Sequence, residues 1–269
     1  MRIKAEIRLA AVLAVAMLLG TAASAQETVI CTPGVPSFFR IGVSSQKNAP
    51  YTATVKTTFE QKLSDGNTIR GVFVVHQARD TSGKTRSELV QECFRGDDGQ
   101  IHVRVNVTVF DPEARSTMHW ETGGPSSKVA RIFRPSDIPA SVKQTPEELA
   151  EQQKWSRMRQ SLVKEFNHES LGTKNIAGVE ASGSRTTRTI APGEEGNDLP
   201  VVTINERWEA RTPRLVLLET DEDPRRGKWT SEVIEFTRGE PDPALFAPPQ
   251  GYAVEEQKTV TTIVPAGTP

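Results

Sequence analysis

The chain has 269 residues, with 33 Lys and Arg set against 34 Asp and Glu. A formal net charge of −1 leaves no chain-wide field to draw it to nucleic acid or to an anionic surface, so nucleic-acid binding is excluded as a function class. Hydrophobic residues make up 36% of it, and no stretch reaches the roughly 20 apolar residues of a membrane-spanning helix.

Met1-Arg2-Ile3-Lys4 and Arg8 precede an apolar run over 9–19, and Ala23-Ser24-Ala25 follows. A charged start, a short apolar centre and small residues at the end are the three parts of a secretory signal peptide. Residues 1–25 are therefore expected to be removed, leaving a secreted or periplasmic protein with no transmembrane segment. A lipid-anchor signal needs a small residue before its cysteine, and Ile30 precedes Cys31. About 240 residues remain, the size of one large all-β domain. They divide into an extended N-terminal segment at 26–50, a single β-rich domain at 51–254, and a polar tail at 255–269 whose composition predicts disorder. Cys31 and Cys93 lie in an exported chain, where an even count usually means a disulfide; two free buried thiols are the alternative.

From Tyr51 onward apolar residues recur every second position, the period that lines one face of a strand. Ala53, Val55, Thr57 and Phe59 form one set; Ile69, Phe73 and Val75 form the next after a Ser64-Asp65-Gly66-Asn67 turn, so the two predict a hairpin. Asp80-Thr81-Ser82-Gly83 turns into a strand at 85–94, and Gly96-Asp97-Asp98-Gly99 turns again. The cleanest alternation is Ile101, Val103, Val105, Val107 and Val109, with His102, Arg104, Asn106 and Thr108 between them. That is a strand packed on one side and wet on the other. Asp111-Pro112 ends it, and shorter strands follow at 117–121 and 128–134.

One segment breaks the period. Thr145-Pro146-Glu147-Glu148 is a capping box with proline at the first helical position. Behind it Leu149, Trp155, Met158, Leu162 and Phe166 fall near helical spacing, while Lys154, Arg157, Arg159 and Lys164 charge the other face. Strands resume at 175–190, 201–210, 214–219 and 229–238. The fold class is mainly β: a curved antiparallel sheet, a half-open barrel, with one long amphipathic helix packed on its concave face, since a lone apolar stripe must bury itself against something; a closed barrel is the alternative.

Several residue sets could carry chemistry. His76, His102, His119 and His168 show no metal-ligand spacing, so rim histidines are the better account. Glu219, Asp221, Glu222 and Asp223 crowd one turn but lack a calcium-loop pattern, and Pro224, Arg225 and Arg226 follow at once. No Gly-x-Ser-x-Gly elbow, phosphate-cradling glycine loop or assisted cysteine nominates an enzyme, and no cofactor is implied. Arg185, Arg188 and Arg207 with Trp208 could face an anionic or sugar ligand; on the solvent side of strands they would instead cover apolar surface.

Ser170-Leu171-Gly172-Thr173, Val179-Glu180-Ala181, Ser184-Arg185-Thr186-Thr187-Arg188-Thr189-Ile190 and Asn205-Glu206-Arg207-Trp208 resemble a widespread set of uncharacterised exported bacterial proteins. Asp223-Pro224-Arg225, the run from Arg238 to Phe246, and the hairpin from Arg79 to Arg86 belong to the same pattern. The layout is more remotely similar to the lipoprotein-carrier (lipoprotein-sorting) superfamily of the bacterial envelope, a half-open antiparallel barrel with helices across its concave side. That resemblance implies a non-enzymatic binding module that holds a lipid or acylated ligand. Ile101, Val103, Val105, Val107, Val109, Trp155, Met158 and Leu162 are then the candidate ligand-facing apolar residues. The alternative is an interaction or sensing domain that meets another envelope protein and has no small-molecule ligand. A carrier needs an apolar cavity that its own side chains do not fill; an interaction module needs an exposed patch or a bare strand edge.

Overall fold

Alternating apolar residues separated by Gly- and Asp-rich turns produce strands that pair mostly with their sequence neighbours. The computed structural model describes residues 30–35, 41–123, 127–134, 145–163 and 166–258, with helix side chains described as far as Arg157. The expected signal peptide, residues 26–29 and residues 259–269 lie outside the described residues. The first elements are β1 (Ile30–Cys31), β2 (Tyr51–Lys62), β3 (Thr68–Arg79), β4 (Thr85–Arg95), β5 (Ile101–Asp111), β6 (Ser116–Thr122) and β7 (Val129–Arg134). The helix α1 (Pro146–Val163) follows, then β8 (Phe166–Ile176), β9 (Val179–Ile190), β10 (Val201–Arg211), β11 (Arg214–Asp223), β12 (Gly227–Arg238) and β13 (Ala253–Lys258).

The strands form one large, curved, non-closed sheet in the order β13-β7-β6-β5-β4-β3-β2-β12-β11-β10-β9-β8, with β1 beside β3. Two meanders, β2 to β7 and β8 to β12, join where β12 lies antiparallel to β2. At that seam Val233 stands opposite Val55, and the rings of Phe59 and Trp229 lie 4.3 Å apart. Buried apolar residues fall into three clusters: Tyr51, Val55, Trp208, Leu217 and their neighbours; Cys31, Phe59, Phe73, Val90 and Trp229; and Val105, Val107, Val109, Trp120 and Ala130.

The sheet is split between β3 and β4, whose pairing is confined to Gln77–Arg79 against Thr85–Ser87. The N-terminal segment fills the gap. Ile30 and Cys31 pair with Val74 and Phe73, Thr32 Oγ1 accepts the Val72 N–H at 2.8 Å, and Gly34 donates its N–H to the Cys93 carbonyl at 3.2 Å. Gly71 is required beneath this plug, because a Cβ there would lie 2.6 Å from Val35 Cγ1. A disulfide between Cys31 and Cys93, 62 residues apart in sequence, ties the plug to β4, which decides the cysteine pairing in favour of the bridge.

A second piece of the N-terminal segment, residues 41–49, is strapped across the start of β2. Gln77 Nε2 donates to the Ile41 carbonyl, and the buried Arg79 donates to the carbonyls of Ala49, Ser44 and Arg214. Arg214 in turn donates its N–H to Gln46 Oε1 at 2.8 Å. Residues expected to be merely extended are therefore an integral cover of the sheet.

Four expectations are corrected. The helix does form behind its capping box: Thr145 donates its N–H to Glu148 Oε2 at 2.8 Å, and Thr145 Oγ1 accepts the Glu148 N–H at 3.2 Å. Its described side chains do not pack on the sheet, however, since Leu149 is 43% and Trp155 60% exposed. Two large apolar residues over twelve positions give too little stripe to win burial over the glutamates and glutamines around them. Phe166, placed in that stripe by spacing, begins β8 opposite Arg188. The single strand expected at 175–190 is a hairpin, folded at Ala177 and Gly178, both at positive φ. Residues 255–258, expected in a disordered tail, belong to β13, which runs parallel to β7.

Candidate functional site

The apolar face of β5, where the sequence places a ligand, is covered by the protein itself. Val105, Val107 and Val109 are 4%, 0% and 4% exposed, and they pack with Trp120 of β6 and Ala130 of β7. Phe246 and Tyr252 close over this cluster. Phe246 ends a short 3-10 turn, Pro243–Phe246, which Asp242 caps by accepting the Ala244 N–H at 2.9 Å. Tyr252 donates its hydroxyl proton to the Glu121 carbonyl at 2.7 Å, so its polar tip is satisfied.

The six candidate ligand-facing residues whose side chains are described do not share one site. Val103, Val105, Val107 and Val109 belong to the same packed cluster. Ile101 stands at the open start of β5, 47% exposed, and Trp155 projects from α1 away from any described core cluster. The side chains of Met158 and Leu162 lie outside the described residues. The cover from Phe246 and Tyr252 could have been anticipated only as far as two aromatic residues in a Pro-rich stretch needing a surface.

Across β8 to β12 the opposite chemistry prevails. A half-open cleft of about 270 Å³ is lined by Glu169, Arg185, Glu206, Thr220, Glu222 and Lys228, among others. Its charges are matched: Arg185 lies 2.6 Å from Glu206 and 3.1 Å from Glu169, and Lys228 lies 3.2 Å from Glu222. Arg207 pairs with Glu209 at 2.6 Å and Glu219 at 3.3 Å, and Arg188 with Glu195 at 3.0 Å. The arginines singled out for an anionic ligand thus already meet carboxylates on the wet side of the strands. Trp208 lies over Gly183, where a Cβ would come within 2.7 Å of the indole, and Lys174 Nζ sits 4.2 Å from the ring centre.

The acidic turn after β11 is likewise internally neutralised. Asp223, 1% exposed, accepts from Arg225 at 2.8 Å and Arg226 at 3.2 Å. The Arg225 hydrogen bond, reinforced by the Arg225 N–H and both positive charges, holds the Asp223 carboxyl down at about 2. The histidines stand apart: His102 meets Asp98, His119 meets Thr108, His168 meets Thr186 and His76 meets Glu88. Among the described residues no group of three or more His, Cys, Asp or Glu side chains is placed to hold a metal ion.

Two buried polar clusters escaped the sequence reading. Glu88, at the mouth of the β3–β4 split, accepts the His76 N–H at 2.9 Å, contacts His76 Nδ1 at 3.2 Å and meets Arg86 at 2.7 Å. Burial pushes the Glu88 carboxyl up, but hydrogen bonding from His76 and the Arg86 charge outweigh it and leave it below the usual 4.5. The second cluster is Tyr51 with Arg79, direct partners across β2 and β3, the guanidinium lying 4.8 Å from the ring centre. Burial raises the Tyr51 hydroxyl to about 12, although the Arg79 charge opposes this. The signal was present: Gln77 and Arg79 continue the even spacing of Phe73 and Val75 on the packed face.

No protein-family model matches the chain, and no curated protein does. Solved structures are similar to it at low identity. An uncharacterized conserved protein from Thermus thermophilus is 11% identical, covering 78% of this chain and 91% of that one, with a TM-score of 0.37. MucB, whose complex with MucA is known from Pseudomonas aeruginosa, is 14% identical with a TM-score of 0.32. That match covers 78% of this chain and 61% of MucB, less than two thirds of its length. A putative outer membrane lipoprotein-sorting protein domain from Vibrio parahaemolyticus is 8% identical, covering 73% and 89%, with a TM-score of 0.22.

Proposed function

We propose that this chain is a non-enzymatic, exported interaction module of the periplasm or cell exterior, which meets another envelope component through its outer surfaces and encloses no ligand. One observation carries the reading: Phe246 and Tyr252 pack against the cluster that buries Val105, Val107 and Val109. An acyl chain held against β5 would have to displace both aromatic side chains and break the Tyr252–Glu121 hydrogen bond. Surfaces open to recognition among the described residues include the outer edges of β8 and β13, which end the strand order, and the exposed described side chains of α1. Ion pairs over β8 to β12 favour protein recognition over capture of a small anion, because Arg185, Arg188 and Arg207 each already have a carboxylate partner.

Mass spectrometry of organic extracts from protein purified out of its native envelope tests this. The expected result is no lipid retained in stoichiometric amount. A single acyl-bearing species recovered at one per chain would overturn the interaction reading and restore the carrier.

A further inference from the structure

Eight arginines stand between the start of β8 and the end of β12, and they divide into two groups. Arg185, Arg188, Arg207, Arg225 and Arg226 each pair with a carboxylate. Arg211, Arg214 and Arg238 are exposed and form no ion pair among the described residues. These three meet at one place. Arg211 and Arg214 are direct partners at the tip of the β10–β11 hairpin, and Arg238 Nη2 donates to the Thr212 carbonyl between them at 3.4 Å. Beneath the tip Arg79, 0% exposed, reaches the Arg214 carbonyl, and its hydrogen bonds go to carbonyl oxygens alone. The carboxylates nearest in sequence are engaged elsewhere, Glu209 with Arg207 at 2.6 Å and Glu240 with the Thr81 N–H at 3.1 Å.

We propose that the β10–β11 tip is a docking site for an acidic segment of a partner polypeptide. Like charges directly opposite on paired strands are destabilising, so two arginines facing each other at a hairpin end weaken the fold they stand in. A carboxylate brought between them reverses that sign, and each guanidinium offers a fork that fits a carboxylate with two parallel hydrogen bonds. The frame is fixed before the partner arrives: Arg214 donates its N–H to Gln46 Oε1 at 2.8 Å, Ser44 Oγ donates to the Arg214 carbonyl at 3.1 Å, and Pro213 is buried. The cations are therefore presented on a braced turn. Several carboxylates on one chain are required, because a single exposed ion pair contributes little and linked ones add. A bilayer is the weaker fit: none of the exposed large apolar residues lies at 211–214 or 236–240, so nothing there enters the acyl layer. The proposal rests on the interaction reading and adds the chemistry of the partner.

A short fluorescein-labelled oligoglutamate, titrated into the full chain at low ionic strength and followed by fluorescence anisotropy, tests this. Binding should be saturable and should weaken as salt is raised through about 0.15 M. The triple variant Arg211→Gln, Arg214→Gln, Arg238→Gln should bind on the order of tenfold more weakly. Lys56→Gln, Lys62→Gln, Lys128→Gln makes the same change in net charge at exposed positions elsewhere and should bind as the wild type does. The double variant Arg211→Gln, Arg214→Gln leaves the Arg238 hydrogen bond in place; it should also bind more weakly yet melt no lower than wild type, which separates lost docking from misfolding. No binding at low salt, unchanged binding in the arginine variants, or equal weakening by the lysine substitutions would overturn the proposal. So would phosphatidylglycerol vesicles that engage the three arginines while oligoglutamate does not. Lipid recovered from the envelope-purified protein would instead contradict the interaction reading and leave the oligoglutamate result standing, so the two fail separately.

Discussion

The Glu88 carboxylate accepts the backbone N–H of His76 at 2.9 Å, so a side chain takes the place of a ladder bond where β3 and β4 part. Glu88→Ala would leave that N–H without its acceptor and the mostly buried Arg86 without its partner. The expected cost is about 3 kcal/mol, read from the shift in denaturant midpoint. A change within the surface range of about 0.5 kcal/mol would mean that water substitutes fully for the carboxylate.

Acid should weaken the fold through Glu88 and Asp223 together. Both carboxyls titrate lower in the folded protein than their usual 4.5 and 3.8, Asp223 at about 2. Ionised, they stabilise the fold in full above those usual values, and the contribution is lost as pH falls through the folded ones. Unfolding free energy measured from neutral pH downward should therefore decline below about pH 4.5 and go on declining toward pH 2. In Asp223→Asn the decline should be shallower at the lower end of that range.

Reduction of the Cys31–Cys93 bridge should act locally as well as globally. Closing a loop of 62 residues stabilises the native state by about 4 kcal/mol on a chain-entropy account. The plug of residues 30–35 is held mainly by that bridge and a few hydrogen bonds to β3 and β4. Hydrogen exchange after reduction should accelerate first at Val72 to Val74, while the β2–β12 seam keeps its protection. Uniform acceleration would mean that the split is no weak point.

Substitutions on α1 should be mild. With Leu149 and Trp155 exposed, replacing either by Ala should move the denaturant midpoint by no more than about 0.5 kcal/mol. Thr145→Ala should lower helix content by circular dichroism with little change in global stability, because it breaks a cap on a helix whose described side chains lie outside the core clusters. Costs of about 2 to 5 kcal/mol at Trp155 would instead show the helix packed on the sheet.

Local chemistry was legible and long-range cover was not. The alternation of Val105, Val107 and Val109 announced β5, and the reciprocal Thr145–Glu148 cap was readable because it lies within four residues. Nothing local says that Phe246 and Tyr252 return over β5 from more than 130 residues away, or that β13 pairs parallel with β7. The apolar spacing of Leu149, Trp155 and Phe166 misled, since Phe166 satisfied its burial beside Arg188 in a strand. An apolar face identifies what must be covered and leaves open whether chain or ligand covers it.

The aromatic cover should hold real stability. Phe246→Ala and Tyr252→Ala should each cost about 3 kcal/mol and expose Val107 enough to bind an apolar dye. Tyr252→Phe, which loses only the bond to Glu121, should cost about 1 kcal/mol. Wild-type stability in Tyr252→Ala would imply that the valines are sealed by something else.

The central claim, a sheet whose apolar face is filled by its own residues, is tested most directly by melting the protein against rising concentrations of a monomeric acyl ligand, such as decanoate or a short acylated peptide below its micelle concentration. A ligand that prefers the folded state raises the melting temperature by mass action. The expected result is a melting temperature independent of ligand in the wild type, with a concentration-dependent rise appearing once Phe246 and Tyr252 are both replaced by Ala. A saturable rise in the wild type itself would contradict the account.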